Sequence, residues 1–226
     1  NVGITAVVAW RKGQNRQEDA NKCLRQSLFL TLVLSVVLSA IAMIFARPFL
    51  QFAGAGDDII NDAVAFFDWI LVGIPFTALS LSITAAQRGI GNTKLSLAVN
   101  VTNNIVNVIC DYLLIGGNLG FPRLGVAGSG IATTVGVTVG FIVAWVSVGK
   151  KGGFLHIGLK DRYLPEKETM KSVLNVGGSA VVEQFFMRVG FFIYAKIVAG
   201  LGTVAFATHQ ICMNVLSLSY TFGEGL

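Results

Sequence analysis

The sequence predicts an all-α integral membrane protein, and its composition and charge pattern carry that prediction. It is 54% hydrophobic and 13% charged, whereas soluble domains carry about 25% charged residues. A helix needs ~20 apolar residues to cross the ~30 Å hydrocarbon core of a bilayer. Uncharged stretches of about that length lie between Arg25 and Arg47, Asp68 and Arg88, Arg123 and Lys150, and Lys196 and Glu224. The chain is therefore expected to cross a membrane several times.

The membrane-spanning helices are expected in a definite order. Residues 1–10 form the end of one span, and further spans cover 28–46, about 65–87, 94–117, about 124–149, about 176–199 and 203–226. Gly73 and Pro75 predict a kink in the span at 65–87. The chain opens within an apolar stretch and without Met, so we expect it to be an internal piece of a longer protein.

The span at 94–117 has a single polar stripe. Its members recur at steps of three and four residues and therefore share one face of a helix; they are Asn100, Asn103, Asn104, Asn107 and Asp111. A charged residue in mid-membrane costs roughly 2.5–3.5 kcal/mol on insertion scales, so the stripe is expected to face protein or a wet cavity. We expect Asp111 to be functional. The asparagines either line a pathway or bind neighbouring helices by hydrogen bonds.

The span at 124–149 carries a ridge of small residues. Gly128, Ala132, Gly136 and Gly140 repeat every four residues, a pattern that lets another helix approach closely. Thr133 lies one position off this ridge.

The later spans contain a possible second polar site. Glu183 and Arg188 lie near the middle of the span at 176–199. Five residues separate them by about 140° around a helix, so each is expected to find its partner on another helix. His209 is more typical of a hydrogen-bonded residue at a helix start than of a ligand.

Several other classes of function are disfavoured. The net charge is +5, but the basic residues lie in short links rather than on one folded face, so no nucleic-acid partner is expected. Cys23, Cys110 and Cys212 are far apart, which argues against a disulfide framework or a zinc site. The links hold no nucleophile–base pair or metal-ligand spacing, so we expect neither an enzyme nor a resident cofactor.

The distribution of basic residues predicts the orientation. Alternate links carry 13 Lys and Arg residues against 2 in the others. The positive-inside rule therefore places the links at 11–26, 88–94 and 150–175 in the cytoplasm.

Four motifs in the chain share a recognisable order. They are QRGIGNTK at 87–94, the NxxxD spacing of Asn107 and Asp111, GNLGFPRLGVAGSGIATT at 117–134, and AGLGTVAFATHQI at 199–211. Together they resemble the MATE family, the multidrug and toxic compound extrusion antiporters, and look closest to its DinF-like branch. Each motif alone is weak, but the combination is specific and runs through nearly the whole chain.

The resemblance implies a two-lobe bundle of twelve helices that rocks between outward-facing and inward-facing states. On that template residues 1–149 are part of the N-terminal lobe, from the end of its second helix to its sixth. Residues 150–175 are a cytoplasmic linker between the lobes. Residues 176–226 begin the C-terminal lobe with its seventh and eighth helices, so the chain is a fragment of such a transporter.

The resemblance also implies a cation site. DinF-like relatives build it from an Asp on the first helix, an Asn and an Asp four apart on the fifth, and a Thr on the sixth. Asn107, Asp111 and Thr133 match the last three, whereas the first-helix Asp lies outside this sequence. A Glu that the NorM-like branch uses on its seventh helix falls at Met187, so its role is not transferred to Glu183.

The function that this implies is secondary active efflux. An inward H⁺ or Na⁺ gradient would drive export of organic, often cationic, compounds across the cytoplasmic membrane, with the ion acting at Asp111. The expected partners are the lipid bilayer, small organic substrates and the coupling cation. Two alternatives remain open: a flippase for lipid-linked precursors with a related fold, and a non-transporting membrane scaffold whose stripe holds helices together.

Overall fold

The computed structural model describes residues 2–52, 59–149, 153–157, 167–200 and 207–217. All regular structure in these ranges is helical: α1 Val2–Gly13, α2 Gln17–Ile44, α3 Ala46–Phe52, α4 Ile60–Gly89, α5 Thr93–Gly116, α6 Gly125–Gly149 and α7 Lys167–Gly200, with a short 3₁₀ turn at Asn118–Gly120 and helical residues at 207–217. Among the helices so described, α2, α4, α5 and α6 are long and apolar enough to cross a membrane.

Two predicted links prove more helical than expected. The link at 11–26 is reduced to residues 14–16 between α1 and α2, because Glu18 and Asp19 in the first turn of α2 favour a helix start there. The linker predicted at 150–175 already contains the first turns of α7, which begins at Lys167. Charge in these segments marks the ends of long helices as well as loops.

Residue contacts divide the chain into two compact units, Asn1–Gly177 and Gly178–Leu226. In the second unit the ring of Tyr194 packs edge-on against His209, with ring centroids 5.0 Å apart. The described residues thus place His209 against an aromatic ring. The end of the span predicted at 203–226 lies outside the described residues.

The first unit is organised around α4 and α6. Helix α6 packs along both α4 and α5, and α4 also packs against α1 and α2. At one end of this bundle, here called the first end, Lys12 donates to the carbonyl oxygen of Ile90. At the same end Gln17 Nε2 donates to the carbonyl oxygen of Gly153 at 3.4 Å. The described parts of the three basic links thus lie at the same end of the first unit.

The tight loop between α4 and α5 explains part of the QRGIGNTK motif. Gly91 has φ +85°, a left-handed conformation that favours glycine. Asn92 Nδ2 donates to Gln87 Oε1 at 3.0 Å. At Gly89 a Cβ would stand 2.6 Å from the carbonyl oxygen of Thr5, so this glycine permits the close approach of α1. The predicted tight loop is confirmed.

The predicted small-residue ridge is also confirmed, and α5 is the helix that packs on it. A Cβ on Gly128 would lie 2.8 Å from the carbonyl oxygen of Leu114, and one on Gly136 would lie 2.9 Å from that of Asn103. Contacts this short leave no room for a methyl group, so the ridge sets the distance between α5 and α6.

A hydroxyl group on the opposite face of α6 ties this helix to α4. Thr134 is buried, and its single hydroxyl hydrogen is within reach of two carbonyl oxygens, that of Trp69 at 2.5 Å and that of Gly130 at 3.0 Å. We expect Thr134→Val, which keeps the shape but removes the donor, to lower the free energy of unfolding by about 0.5–2 kcal/mol. Thr134→Ser should retain most of the bond. Equal thermal unfolding midpoints for the two variants in detergent would contradict this role.

Candidate functional site

Two residues that the sequence placed in one site meet across α5 and α6. Asn107 Nδ2 donates to Thr133 Oγ1 at 3.3 Å. Their approach follows from the small residue next to them, because a Cβ on Gly136 would lie 3.2 Å from Asn107 Cβ. The contact leaves the amide oxygen of Asn107 and the hydroxyl oxygen of Thr133 near each other, and both are oxygen ligands of the kind that hard cations prefer.

Asp111 lies one helical turn beyond Asn107 on α5. Its side chain is half-buried, and its Oδ1 is buried without a hydrogen-bond partner among the described residues. A carboxylate oxygen held away from water and from donors is unfavourable unless a proton or a cation compensates it. This oxygen is therefore the candidate position for a bound proton or cation.

The asparagine stripe divides between two environments. Asn103 is half-buried and lies against α6, where a Cβ on Gly140 would be 3.4 Å from Asn103 Cβ. The side chains of Asn100 and Asn104 are exposed on this chain. Asn100 and Asn103 together border a cavity of about 50 Å³, with Thr77 and Ser80 contributed by α4. The sequence predicted a stripe that faces protein or a wet cavity, and in the first unit α6 covers one side of it.

A larger apolar cavity lies between α4 and α6. It has a volume of about 360 Å³, and Thr133 is among its lining residues. The lining comprises Ile70, Gly73, Ile74, Thr77, Ala78, Leu81, Thr133, Thr134 and Val137. Sequence reasoning missed this cavity. Gly73 was a signal for it, but the pairing of α4 with α6 was needed to interpret that glycine.

Asp68 is a second carboxylate whose environment was not anticipated. The residue is half-buried, and its Oδ1 is buried and has no hydrogen-bond partner among the described residues. It lies in the first third of α4, next in sequence to Phe67, whose ring stacks on Phe49 at a centroid distance of 6.1 Å. The signal for this environment in the sequence was a charged residue near the start of an apolar span.

The possible second polar site differs from the first because its side chains are exposed. Glu183 and Arg188 lie on α7 in the second unit, and both side chains are exposed there. The Asn107–Thr133 contact is made within the first unit. In the part of the chain that the structure describes, no three His, Cys, Asp or Glu side chains are grouped as metal ligands would be.

Apolar helices of this length rarely keep a carboxylate oxygen away from water unless that group handles an ion or a proton. A bundle of apolar, membrane-length helices with cavities lined by neighbouring helices is typical of membrane transport proteins. The chain belongs to the MatE family, whose family model matches residues 1–113, and it is accordingly an integral membrane protein of the plasma membrane. The family is one of transporters rather than enzymes, which confirms that expectation.

Curated relatives match along almost the whole chain. A probable multidrug resistance protein NorM from Thermotoga maritima is 28% identical over 227 residues, covering 100% of this chain and 48% of the relative. The multidrug resistance protein PmpM from Pseudomonas aeruginosa is 26% identical over 220 residues, covering 97% of this chain and 46% of the relative. The chain thus spans about half the length of the curated relatives it matches.

Solved structures share the fold. The MATE transporter VcmN of Vibrio cholerae in its bent form has a TM-score of 0.79 at 19% identity, covering 95% of this chain and 47% of that one. A MOP superfamily transporter from Pyrococcus furiosus, for which a pocket of reverse polarity suggests a different function, has a TM-score of 0.84 at 23% identity, with 96% and 47% covered. The predicted all-α bundle is confirmed as part of a MATE-like membrane transporter.

Proposed function

We propose that the full-length protein exports organic, often cationic, compounds across the plasma membrane by antiport with H⁺ or Na⁺. The observation that carries this proposal is the unpartnered, buried Oδ1 of Asp111, one turn from the Asn107–Thr133 contact. Transport by the full-length protein in liposomes under an imposed ion gradient is the test. The names of the relatives, which are multidrug resistance proteins, support export as the direction of transport and organic compounds as the substrates.

The coupling step would take place at Asp111. When neither a proton nor a cation is bound, burying the negative charge of the carboxylate costs free energy, so arrangements of the helices that admit water are favoured. When a proton or Na⁺ is bound, this cost of burial disappears and a closed arrangement becomes favourable. Asn107 and Thr133 would contribute oxygen atoms to a bound cation. This constellation also supports membership of the DinF-like branch, in which an Asn, an Asp and a Thr hold the ion.

The apolar cavity between α4 and α6 would receive part of the substrate. Its volume of about 360 Å³ falls within the ~300–1,000 Å³ that small-molecule sites occupy, and its apolar lining is typical of them. Thr133 borders both this cavity and the proposed ion site. Ion and substrate would therefore either compete for one arrangement of α6 or favour different arrangements of it. Either relation is sufficient to couple their binding.

The orientation completes the proposal. The links at 11–26, 88–94 and 150–175 would face the cytoplasm, so the first end of the bundle is the cytoplasmic end. Residues 150–175 would connect an N-terminal lobe to a C-terminal lobe that begins at 176. In that second lobe, Glu183 and Arg188 would reach partners on helices beyond this chain.

The alternatives receive less support from the cavities. A scaffold needs no space beside its polar stripe, yet Asn100 and Asn103 border a cavity. A flippase for lipid-linked precursors is expected to have a basic cavity, whereas no Lys or Arg is found among the residues that line the cavity between α4 and α6. Both observations favour export of organic compounds.

Thr133 offers a specific test of the ion site. We expect Thr133→Val to weaken the coupling ion's apparent affinity roughly 5- to 20-fold, because an oxygen ligand worth about 1–2 kcal/mol is lost. Thr133→Ser should stay near the wild type, since it retains the hydroxyl group that accepts from Asn107. The measurement is transport rate against ion concentration in liposomes. Equal ion affinities for the Val and Ser variants would show that the hydroxyl is not a ligand.

A further inference from the structure

The residues just after α6 fold back onto the first unit. The segment Gly153–Ile157, here called the strap, lies within the linker that the sequence predicted at 150–175. Its Leu155 is 1% exposed and its Ile157 5% exposed. Both belong to the apolar core at the first end of the bundle, together with residues of α1, α2, α4, α5 and α6. These five residues are part of the packed unit.

Hydrogen bonds attach the strap to two helices. The backbone N–H of Ile157 donates to the carbonyl oxygen of Val148 in α6 at 3.0 Å. The backbone N–H of His156 donates to Asn21 Oδ1 in α2 at 2.9 Å. A weaker contact of 3.4 Å joins Gln17 Nε2 to the carbonyl oxygen of Gly153. The strap therefore bridges the beginning of α2 and the end of α6.

The local sequence explains this arrangement. Leu155 and Ile157 alternate with His156, so an extended segment turns both apolar side chains to the same side. His156 faces the other way and borders a polar cavity of about 590 Å³. The remaining lining of this cavity comes from the first turns of α2: Gln17, Glu18, Asp19, Asn21, Lys22 and Arg25. One face of the strap thus packs on the core, and the other borders the polar cavity, with His156 half-buried and its Nδ1 without a hydrogen-bond partner among the described residues.

We propose that the strap is a permanent anchor, which keeps the ends of α2 and α6 together throughout the transport cycle. It makes the first end of the N-terminal unit move as one rigid body. The persistence of the anchor during transport rests on the proposed function, whereas the docking of the strap is independent of it.

Hydrogen exchange on the unmodified full-length protein tests the docking without any transport assay. The amides of His156 and Ile157 should exchange at least about 100-fold more slowly than in an unstructured peptide, because opening requires exposing Leu155 and Ile157. Protection should persist at about pH 6 and at about pH 8, both with and without Na⁺. Such changes of H⁺ or Na⁺ concentration would shift the conformational equilibrium of an antiporter. Exchange at the unstructured rate under any of these conditions would overturn the permanent anchor.

A cross-link tests whether transport needs the strap to undock. Asn21→Cys and His156→Cys are combined in a full-length protein whose other cysteines, including Cys23, Cys110 and Cys212, are replaced by alanine. A short thiol-reactive cross-linker should join the pair efficiently, and transport should stay within about twofold of the reduced protein.

The outcomes of the cross-link separate the anchor from the transport proposal. Failure of the pair to cross-link, or a loss of transport of about tenfold or more that reductant reverses, would contradict a permanent anchor. His156→Cys alone, treated with the same reagent, controls for modification of the strap. Absence of transport from the wild-type protein would instead count against the proposed function, and hydrogen exchange would still decide the docking.

Discussion

Asp111→Asn is expected to remove the dependence of export on an ion gradient in the full-length protein. Asparagine preserves the size of the side chain but can neither bind a proton near neutral pH nor offer a negative charge to Na⁺. The coupling between ion and substrate is then lost. Since coupling free energies correspond to roughly 5- to 150-fold effects, gradient-driven export should fall at least about tenfold. Fluorescent-substrate transport in liposomes measures it.

Asp62→Asn is the matched control for this substitution. Asp62 lies in the first turn of α4 with an exposed side chain, so its replacement removes the same charge far from the Asn107–Thr133 contact. Export by this variant should remain near the wild-type rate. Similar rates for the Asp62 and Asp111 variants would show that Asp111 is not the coupling carboxylate.

Gly136→Ala is expected to damage both the stability and the ion site. The new Cβ would lie 2.9 Å from the carbonyl oxygen of Asn103 and 3.2 Å from Asn107 Cβ, so α5 and α6 must move apart. Overpacking of this kind costs about 1–3 kcal/mol. The Asn107–Thr133 hydrogen bond, already 3.3 Å long, should break. Thermal unfolding in detergent measures the first effect, and ion affinity in liposomes the second.

Gly149→Ala provides the comparison on the same helix. Gly149 ends α6 and has no heavy atom within 4 Å of the position its Cβ would take. Its replacement should leave the unfolding midpoint and the ion affinity near those of the wild type. If both glycine variants behaved alike, the close packing at Gly136 would not be what sets the spacing of α5 and α6.

Periodic features of the sequence were sufficient for much of the fold, whereas the grouping of the site residues came from a family resemblance. The four-residue repeat of small side chains on α6 predicted a close helix partner, and the glycine contacts with α5 confirm it. The spacing of Asn107 and Asp111, together with Thr133, was given by the resemblance to the MATE family. The structure joins Asn107 to Thr133 by a hydrogen bond. The small-residue repeat and the spacing of Asn107 and Asp111 each involve residues within a few helical turns of each other, which a sequence displays directly, whereas the contact between Asn107 and Thr133 joins two helices.

Other features depend on contacts between distant parts of the chain. The strap could not be predicted because Leu155 and Ile157 stand among polar and charged residues, and their burial requires α1, α2 and α6 to be in place. The apolar cavity at Gly73 likewise exists only once α4 packs on α6. The burial of Asp68 Oδ1 also depends on the surrounding tertiary structure.

The most direct test of ion-coupled export uses the full-length wild-type protein in sealed liposomes. A fluorescent organic cation is supplied, and either a pH gradient or a Na⁺ gradient is imposed across the membrane. The account predicts that one of the two gradients drives accumulation of the cation against its own concentration gradient, and that dissipating the gradient with an ionophore abolishes it. Equal, passive distribution of the cation under both gradients would contradict ion-coupled antiport.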